Sequence, residues 1–317
     1  MCLMASRFGE AKPLFLLVFI ETVNIFVNPI AGRGRGRSIA ERLQRRLQDE
    51  GYRAQVYFNS PESLTADDVR DSIRAVVVIG GDGTVRAVAD RFLALCGKTP
   101  PLLAIPLGTA NLMTLHLKLR WIDATLEADV SAAIRELATV EVDAWRANGM
   151  LFLDLASVGY DAMVVHELMR VRNGPIRKIS YLWPAAIAFW KYQFTPMRVV
   201  VDGKEIFAGV PALAFAGNIS EYGAGFPILA KACSNDGMLD VCVLPARSRS
   251  ELIGLFLRAL IGMHTAKRGA VYLRGKSIQI ETTRPAPVQV DGDAAGFTPL
   301  DIRLLPAPLP FIVRSLP

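Results

Sequence analysis

Gly80-Gly81-Asp82-Gly83-Thr84 sets three glycines, one carboxylate and one hydroxyl at the end of the apolar run 75–79. Glycine lets a backbone approach an anion with no Cβ in the way, and the N–H groups that open a helix point at such an anion. The apolar residues of 85–93 recur at roughly helical spacing. A strand therefore delivers these glycines and a helix carries them away. The segment lacks the Gly-Lys-Ser/Thr ending of a Walker A loop and the Gly-x-Gly-x-x-Gly of a dinucleotide fold. Asp82 beside bound phosphates is repulsive unless Mg²⁺ or a substrate proton lies between them. The chemistry implied is nucleotide-dependent phosphoryl transfer.

Two further loops repeat the theme. Asn28-Pro29-Ile30-Ala31-Gly32 follows a strand at 23–27, and Pro106-Leu107-Gly108-Thr109-Ala110-Asn111 follows a strand at 102–105. Loops at the carboxyl ends of strands are where open α/β sheets bind ligands, and three of them could serve one nucleotide. The elements that must position them alternate: an arginine-rich helix at 37–50, a strand at 54–58, the glycine-loop strand and its helix, then a helix from about Leu112. Such alternation predicts a parallel sheet with helices on both faces, an α/β fold of the Rossmann-like kind. From about Val140 the texture changes to short β-like runs at 140–147, 151–157, 198–201, 205–207, 212–217, 239–244, 277–281 and 288–290. Asp202-Gly203 and Asp291-Gly292 read as hairpin turns. The second half is thus an antiparallel β domain with one or two inserted helices, and the tail 306–317 is placed to return to the first domain. The division is an extension at 1–22, a nucleotide-binding domain at 23–140 and a substrate domain at 141–305.

The 317 residues are enough for two domains with real cores. Half of them are hydrophobic, so the chain is globular. A net charge of +6 suits an anionic lipid surface, but no Lys/Arg tract resembles a nucleic-acid arm. Four cysteines without C-x-x-C spacing indicate a reducing, cytoplasmic setting and neither zinc nor a disulfide framework. The apolar run 13–20 is interrupted by Glu21 and Asn24 and is not a signal core. The run 179–190, with Arg177, Lys178 and Lys191 beside it, is too short to span a bilayer. With 250–264 it has the composition of a helix that touches a membrane from one side, at the inner surface.

The chain resembles the diacylglycerol kinase-like lipid kinases in their bacterial single-chain form, from about residue 23 to residue 305. Asn28-Pro29 with Gly32, Gly80 to Thr84, and Pro106 with Gly108-Thr109 and Asn111 match the family's first three blocks in order. Gly217-Asn218, Gly223, Gly225, Ala232 and Asp236-Gly237-Met238-Leu239-Asp240 resemble a block of these kinases that NAD kinases lack. Gln289-Val290-Asp291-Gly292-Asp293 resembles the block that ends in the catalytic carboxylate. The resemblance implies a nucleotide-binding α/β domain followed by a β-sandwich, with the active site in the cleft between them. It places ATP on Asn28, Pro29, Ile30, Ala31, Gly32, Asn59, Gly81, Asp82, Gly83, Thr84, Val85, Arg86, Ala87 and Thr109, with Gly80, Gly108 and Asn111 completing the loops. It places a structural Mg²⁺ near Cys233, Asp236 and Met238, with backbone carbonyls as the first and last ligands. The acceptor it implies is the hydroxyl of diacylglycerol, sphingosine or a related lipid alcohol.

Two carboxylates compete for the role of base. Asp293 matches by position, although relatives usually carry Glu there; Asp82 matches the residue assigned to this role in sphingosine kinases. Two departures bear on the site. Arg86-Ala87 stand where the family has Asn-Glu, and Leu112-Met113-Thr114-Leu115 stand where many relatives have Asp-Phe-Ala-Arg. They leave open a NAD kinase-like phosphotransferase and a catalytically weakened ATP- or lipid-binding protein. The oligomeric state, a homodimer included, is likewise open.

Overall fold

The computed structural model describes residues 21–29, 31–69, 72–171, 178–220, 222–223 and 228–314. Ile30, Arg177, Gly225, the run 13–20 and the extension up to residue 20 lie outside the described residues.

In the first half β1 (Thr22–Val27), α1 (Arg35–Asp49), β2 (Arg53–Tyr57), β3 (Ile73–Gly80), α2 (Asp82–Cys96), β4 (Leu102–Pro106), α3 (Leu112–His116), α4 (Leu126–Glu136) and β5 (Thr139–Val142) follow in order. β3 and β4 are nearly continuous Val/Ile/Leu/Ala runs, and β1 is buried along its whole length, because a parallel sheet is covered on both faces. Ile39, Leu43 and Leu47 of α1 and Val130 and Ile134 of α4 cover one face. Val85, Val88 and Phe92 of α2 cover the other. The strand order β2-β1-β3-β4 means that the chain leaves β1 on one side and returns to β3 on the other. The loops after β1 and β3 diverge there, and an open α/β sheet has its crevice at that point.

The second half holds β6 (Trp145–Ala147), β7 (Met150–Phe152), β8 (Leu155–Val158), α5 (Tyr160–Val171), α6 (Leu182–Lys191), β9 (Pro196–Val201), β10 (Lys204–Gly217), β11 (Leu239–Pro245), α7 (Arg249–Leu260), β12 (Val271–Gly275), β13 (Ser277–Thr282), β14 (Pro287–Val290), β15 (Asp293–Phe297) and β16 (Leu300–Leu304). The sheet curls into two antiparallel layers through β10. Its first part pairs with β9, its last part with β8 and β11, and irregular register between Glu205 and Val210 makes the bend. Gly209, at φ +77°, lies in that bend. Val199, Val201, Ile278 and Ile302 of one layer meet Val158, Ala214, Val241 and Val288 of the other in one core. Among the described residues three α-helices are inserted, where one or two are expected.

The stretch 140–147 is not one strand. β5 belongs to the first sheet and β6 to the second, and the chain crosses between lobes at Asp143-Ala144. It crosses back after β16, and β17 (Leu309–Ile312) inserts between β4 and β5, parallel to β4 and antiparallel to β5. The two crossings touch: the Leu305 N–H donates to the Ala144 carbonyl at 2.8 Å. No helix of the described residues is long and apolar enough to cross a membrane.

Candidate active site

Three backbone hydrogen bonds draw the glycine loops together. The N–H of Asn28 donates to Ile79 O at 3.1 Å, that of Leu107 to Gly80 O at 2.8 Å, and that of Gly32 to Leu107 O at 3.1 Å. Gly81 and Gly108 then meet backbone to backbone. A Cβ on Gly108 would lie 2.6 Å from Gly81 Cα and 2.7 Å from Asn111 Oδ1. Gly81 caps α2 without a capping side chain, which leaves first-turn amides for an anion.

These loops wall one end of a cavity of about 1470 Å³, larger than the roughly 300–1,000 Å³ that one small ligand takes. Asn28, Pro29, Ala31, Gly32, Asn59, Gly81, Asp82, Gly83, Thr84, Ala87, Gly108, Thr109 and Asp293 all line it. The remaining nucleotide candidates do other work. Gly80 backs the loop, because a Cβ there would strike the Thr84 side chain. Asn111 folds its amide onto Gly108, accepting from its N–H at 2.9 Å and donating to its carbonyl at 3.0 Å. Val85 is a correction: helical periodicity turns it into the core with Val88 and Phe92, away from the cavity.

The two candidate bases differ in what they touch. Both oxygens of Asp82 turn to α3, accepting the Leu112 N–H at 3.0 Å and the Met113 N–H at 3.2 Å. Burial pushes this carboxyl above its ordinary range, and those two donors oppose the rise. Asp82 thereby holds the start of α3, which has no side-chain cap of its own. Asp293 stands at the cavity wall opposite Gly83, where a Cβ on that glycine would lie 3.9 Å from Asp293 Oδ2. Asp293 Oδ2 is ion-paired with Arg86 of α2, whose other nitrogen donates to Val290 O at 3.0 Å. One side chain of the nucleotide lobe thus grips the sandwich turn across the cleft.

Asp291, two residues earlier, anchors that turn. It sits at φ +47° with Gly292 at +81°, the pair of positive angles of a type I′ hairpin. Its buried carboxylate accepts the N–H groups of Leu153, Asp154 and Leu155, each at 3.0 Å. Arg86 lies 3.9 Å away. Burial nonetheless raises Asp291 from 3.8 to about 6, against Arg86 and the three amides. The folded state therefore holds this proton more tightly than the unfolded state. The stability it contributes is full below the ordinary carboxylate range and falls as pH rises towards 6. Thermal melting of the unaltered chain against Asp291→Asn should show the difference between them shrinking from about pH 4 to about pH 6 and flat above.

Of the residues expected to hold a structural Mg²⁺, the Asp236 side chain is engaged by neighbours. Asp236 is ion-paired with Arg274 of β12 through one oxygen, and its other oxygen accepts the Met238 N–H at 3.0 Å. Arg274 also lies 3.4 Å from the buried Asp240. Cys233 is exposed and donates to Asn235 Oδ1 at 3.1 Å. Among the described residues no three His, Cys, Asp or Glu side chains gather as a metal site.

Beyond Asp293 the cavity opens into an apolar chamber walled by Val164 and Val165 of α5, Phe189 of α6, Leu213 and Phe215 of β10, and Leu252 and Phe256 of α7. Sequence reading missed this wall and the carboxylate in it, Asp161. The signal was present: Gly159-Tyr160-Asp161 joins a strand to a helix, as Gly80-Gly81-Asp82 does.

Residues 22–145 match the diacylglycerol kinase catalytic domain, and residues 154–313 match the YegS C-terminal NAD kinase beta sandwich-like domain. A diacylglycerol kinase of Mycobacterium tuberculosis is 29% identical over 92% of this chain and 94% of its own length. A Pseudomonas putida protein described as a probable lipid kinase, YegS-like, is 26% identical over 78% of this chain and 80% of its own. A crystal structure of a diacylglycerol kinase from Bacillus anthracis superposes with a TM-score of 0.64 at 20% identity, covering 93% of this chain and 97% of that one. Yeast NADH kinase superposes at 0.52 with 11% identity, over 93% and 84%. These two likenesses speak for the fold.

Proposed function

Because this chain belongs to the diacylglycerol kinase-like lipid kinase family, we propose that it transfers the γ-phosphate of ATP to the hydroxyl of a lipid alcohol in the cleft between its lobes. The observation that carries this reading is the single cavity that runs from the glycine loops, past Asp293, into an apolar chamber. A nucleotide fits the first end and an acyl or sphingoid chain the second, with the acceptor hydroxyl between them. Phosphorylation of NAD would need a polar pocket beyond Asp293, where Val165, Leu213 and Phe215 stand instead.

The roles follow from position. Loop amides and the start of α2 hold the phosphates, so that the γ-phosphoryl points at the sandwich turn. Mg²⁺ would enter with the nucleotide and offset its charge. Asp293 accepts the proton of the attacking hydroxyl, a group too weakly acidic to ionise by itself near neutral pH. Arg86 orients Asp293 from behind the cavity wall. Asp82 positions α3 and with it the loop of Thr109.

The lipid reaches the chamber from a membrane surface. Trp183 and Trp190 of α6 and Phe256, Leu257 and Leu260 of α7 are exposed around its apolar end. Arg249 ties the helices together, donating to Phe189 O at 2.9 Å and Trp190 O at 2.6 Å. Aromatic and aliphatic tips beside basic residues suit anionic headgroups. The chain should co-sediment with vesicles containing phosphatidylglycerol, and the double variant Trp183→Glu, Phe256→Glu should lose at least tenfold in vesicle affinity. Unchanged binding of that variant would remove α6 and α7 from the contact.

The deciding experiment is incubation with labelled ATP, Mg²⁺ and a panel of lipid alcohols, with NAD in parallel, followed by organic extraction. Label in the lipid phase is the expected result. Label in NAD alone, or in neither, overturns the proposal.

A further inference from the structure

Arg146 of β6 reaches out of the sandwich to α2, the helix whose first turn faces the phosphates. Its Nη2 donates to Asp90 Oδ1 at 2.6 Å and its Nη1 to the Gly149 carbonyl at 2.7 Å. Asn148 and Gly149 carry the paired positive φ angles, +48° and +86°, of the hairpin turn between β6 and β7. The guanidinium is thus steadied by its own hairpin, and its planar fork loses little freedom on meeting Asp90. Neither Asp90 nor Arg146 is among the residues that line the cavity.

Asp90 stands one helical turn beyond Arg86, so α2 meets the sandwich through two ion pairs of opposite polarity. Arg86 offers a cation to Asp293 of β15, and Asp90 offers an anion to Arg146. Val85, Val88 and Phe92 of the same helix share one core with Leu151 and Leu153 of the sandwich. Apolar contact is non-directional, so by itself it lets a helix roll or slide. The pairs do not. Sliding α2 by one turn would set Asp90 against Asp293 in one direction and Arg86 against Arg146 in the other, like charges in both cases. One pair alone would also leave the helix free to pivot about it. Asp90 is about 12 Å along the axis from Asp82, so a tilt of about 5° moves the first turn by about 1 Å.

We propose that Asp90 and Arg146 are positioning residues for phosphoryl transfer. With Arg86 and Asp293 they fix the register and tilt of α2 on the sandwich, and so the distance from the phosphate amides to the base. The side chains of Asp90 and Arg146 are 42% and 30% exposed, and pairs of that kind add little to stability. What the pair contributes is geometry. The inference rests on the lipid kinase reading and deepens it.

The test measures kcat, KM for ATP and melting temperature for Asp90→Ala, Arg146→Met and the reversed pair Asp90→Lys with Arg146→Glu, using the lipid alcohols of the extraction assay in detergent micelles. Each single variant should lose about fivefold to fiftyfold in kcat, with KM for ATP within about a factor of two and melting within about 3 °C of the unaltered chain. The reversed pair should turn over at least about threefold faster than either single variant. Added to Asp293→Asn, either single change should cost less than about a further twofold, because no base is left to place. A purely structural contact would cost the same factor in both backgrounds. Unchanged kcat in both single variants, a full multiplicative loss beside Asp293→Asn, or a reversed pair no faster than the single variants overturns the inference. Should the unaltered chain phosphorylate no lipid, the lipid kinase reading fails by itself. Amide hydrogen exchange then decides the role of the pair separately: faster exchange at 82–86 and 290–294 in both single variants, with melting unchanged, upholds it, and equal exchange refutes it.

Discussion

Asp293→Asn should lower kcat for lipid phosphorylation by about a hundredfold to ten-thousandfold, the span typical of a removed general base, with KM for ATP within a factor of two. The amide can still receive a bond from Arg86, so the sandwich turn stays gripped and only the proton acceptor is lost. Asp293→Glu should keep or raise turnover, since the extra methylene moves the carboxylate by over ~1 Å, a distance on which reaction geometry depends steeply. Arg86→Met should fall between the two. It frees Asp293 but leaves the turn without its partner across the cleft. Steady-state kinetics on the four proteins would check the order. Full turnover in Asp293→Asn would falsify the assignment and return attention to Asp82, whose oxygens are given to α3.

Gly108→Ala should weaken ATP binding by at least about a hundredfold, the effect of displacing reacting parts by about 1 Å. A Cβ there meets the Gly81 backbone and not a flexible side-chain tip, so no rotamer relieves the clash. Two phosphate loops must separate to admit one methyl group. Gly254→Ala in α7 is the control, since nothing lies within 4 Å of its added Cβ. Helix propensity predicts a gain of about 1 kcal/mol at such a site. Nucleotide titration by calorimetry, with melting curves for both variants, separates loop damage from global loss of stability. Equal ATP affinity in Gly108→Ala and the unaltered chain would mean that the nucleotide sits elsewhere.

The glycine loops were legible because their chemistry is local. Strand, glycine and helix start are adjacent in sequence, and the turn residues announce the carboxyl ends of strands. The α/β texture and the antiparallel texture were readable for the same reason, each resting on a short period. What escaped depends on distant partners. Arg86-Ala87 looked like the loss of a family Asn-Glu pair; the partner of Arg86, Asp293, lies 207 positions on, and only the fold brings the two together. The pairing of Asp236 with Arg274 depends on β12, which returns beside β11 only after α7. Val85 was misassigned by adjacency: a residue next to a phosphate loop is not thereby in it once the helix has begun to turn.

The paired crossings between the lobes bear on how the cleft can close. Asp143-Ala144 leads out of the first sheet, the segment after β16 leads back, and the two are bonded side by side at Leu305 and Ala144. Two adjacent tethers behave as a strap with one bending axis; twisting the lobes would have to shear that bond. Swinging about this axis carries Asp293 towards or away from α2 while the strap stays intact. The strap and the Arg86–Asp293 pair thus join the lobes at two separate places.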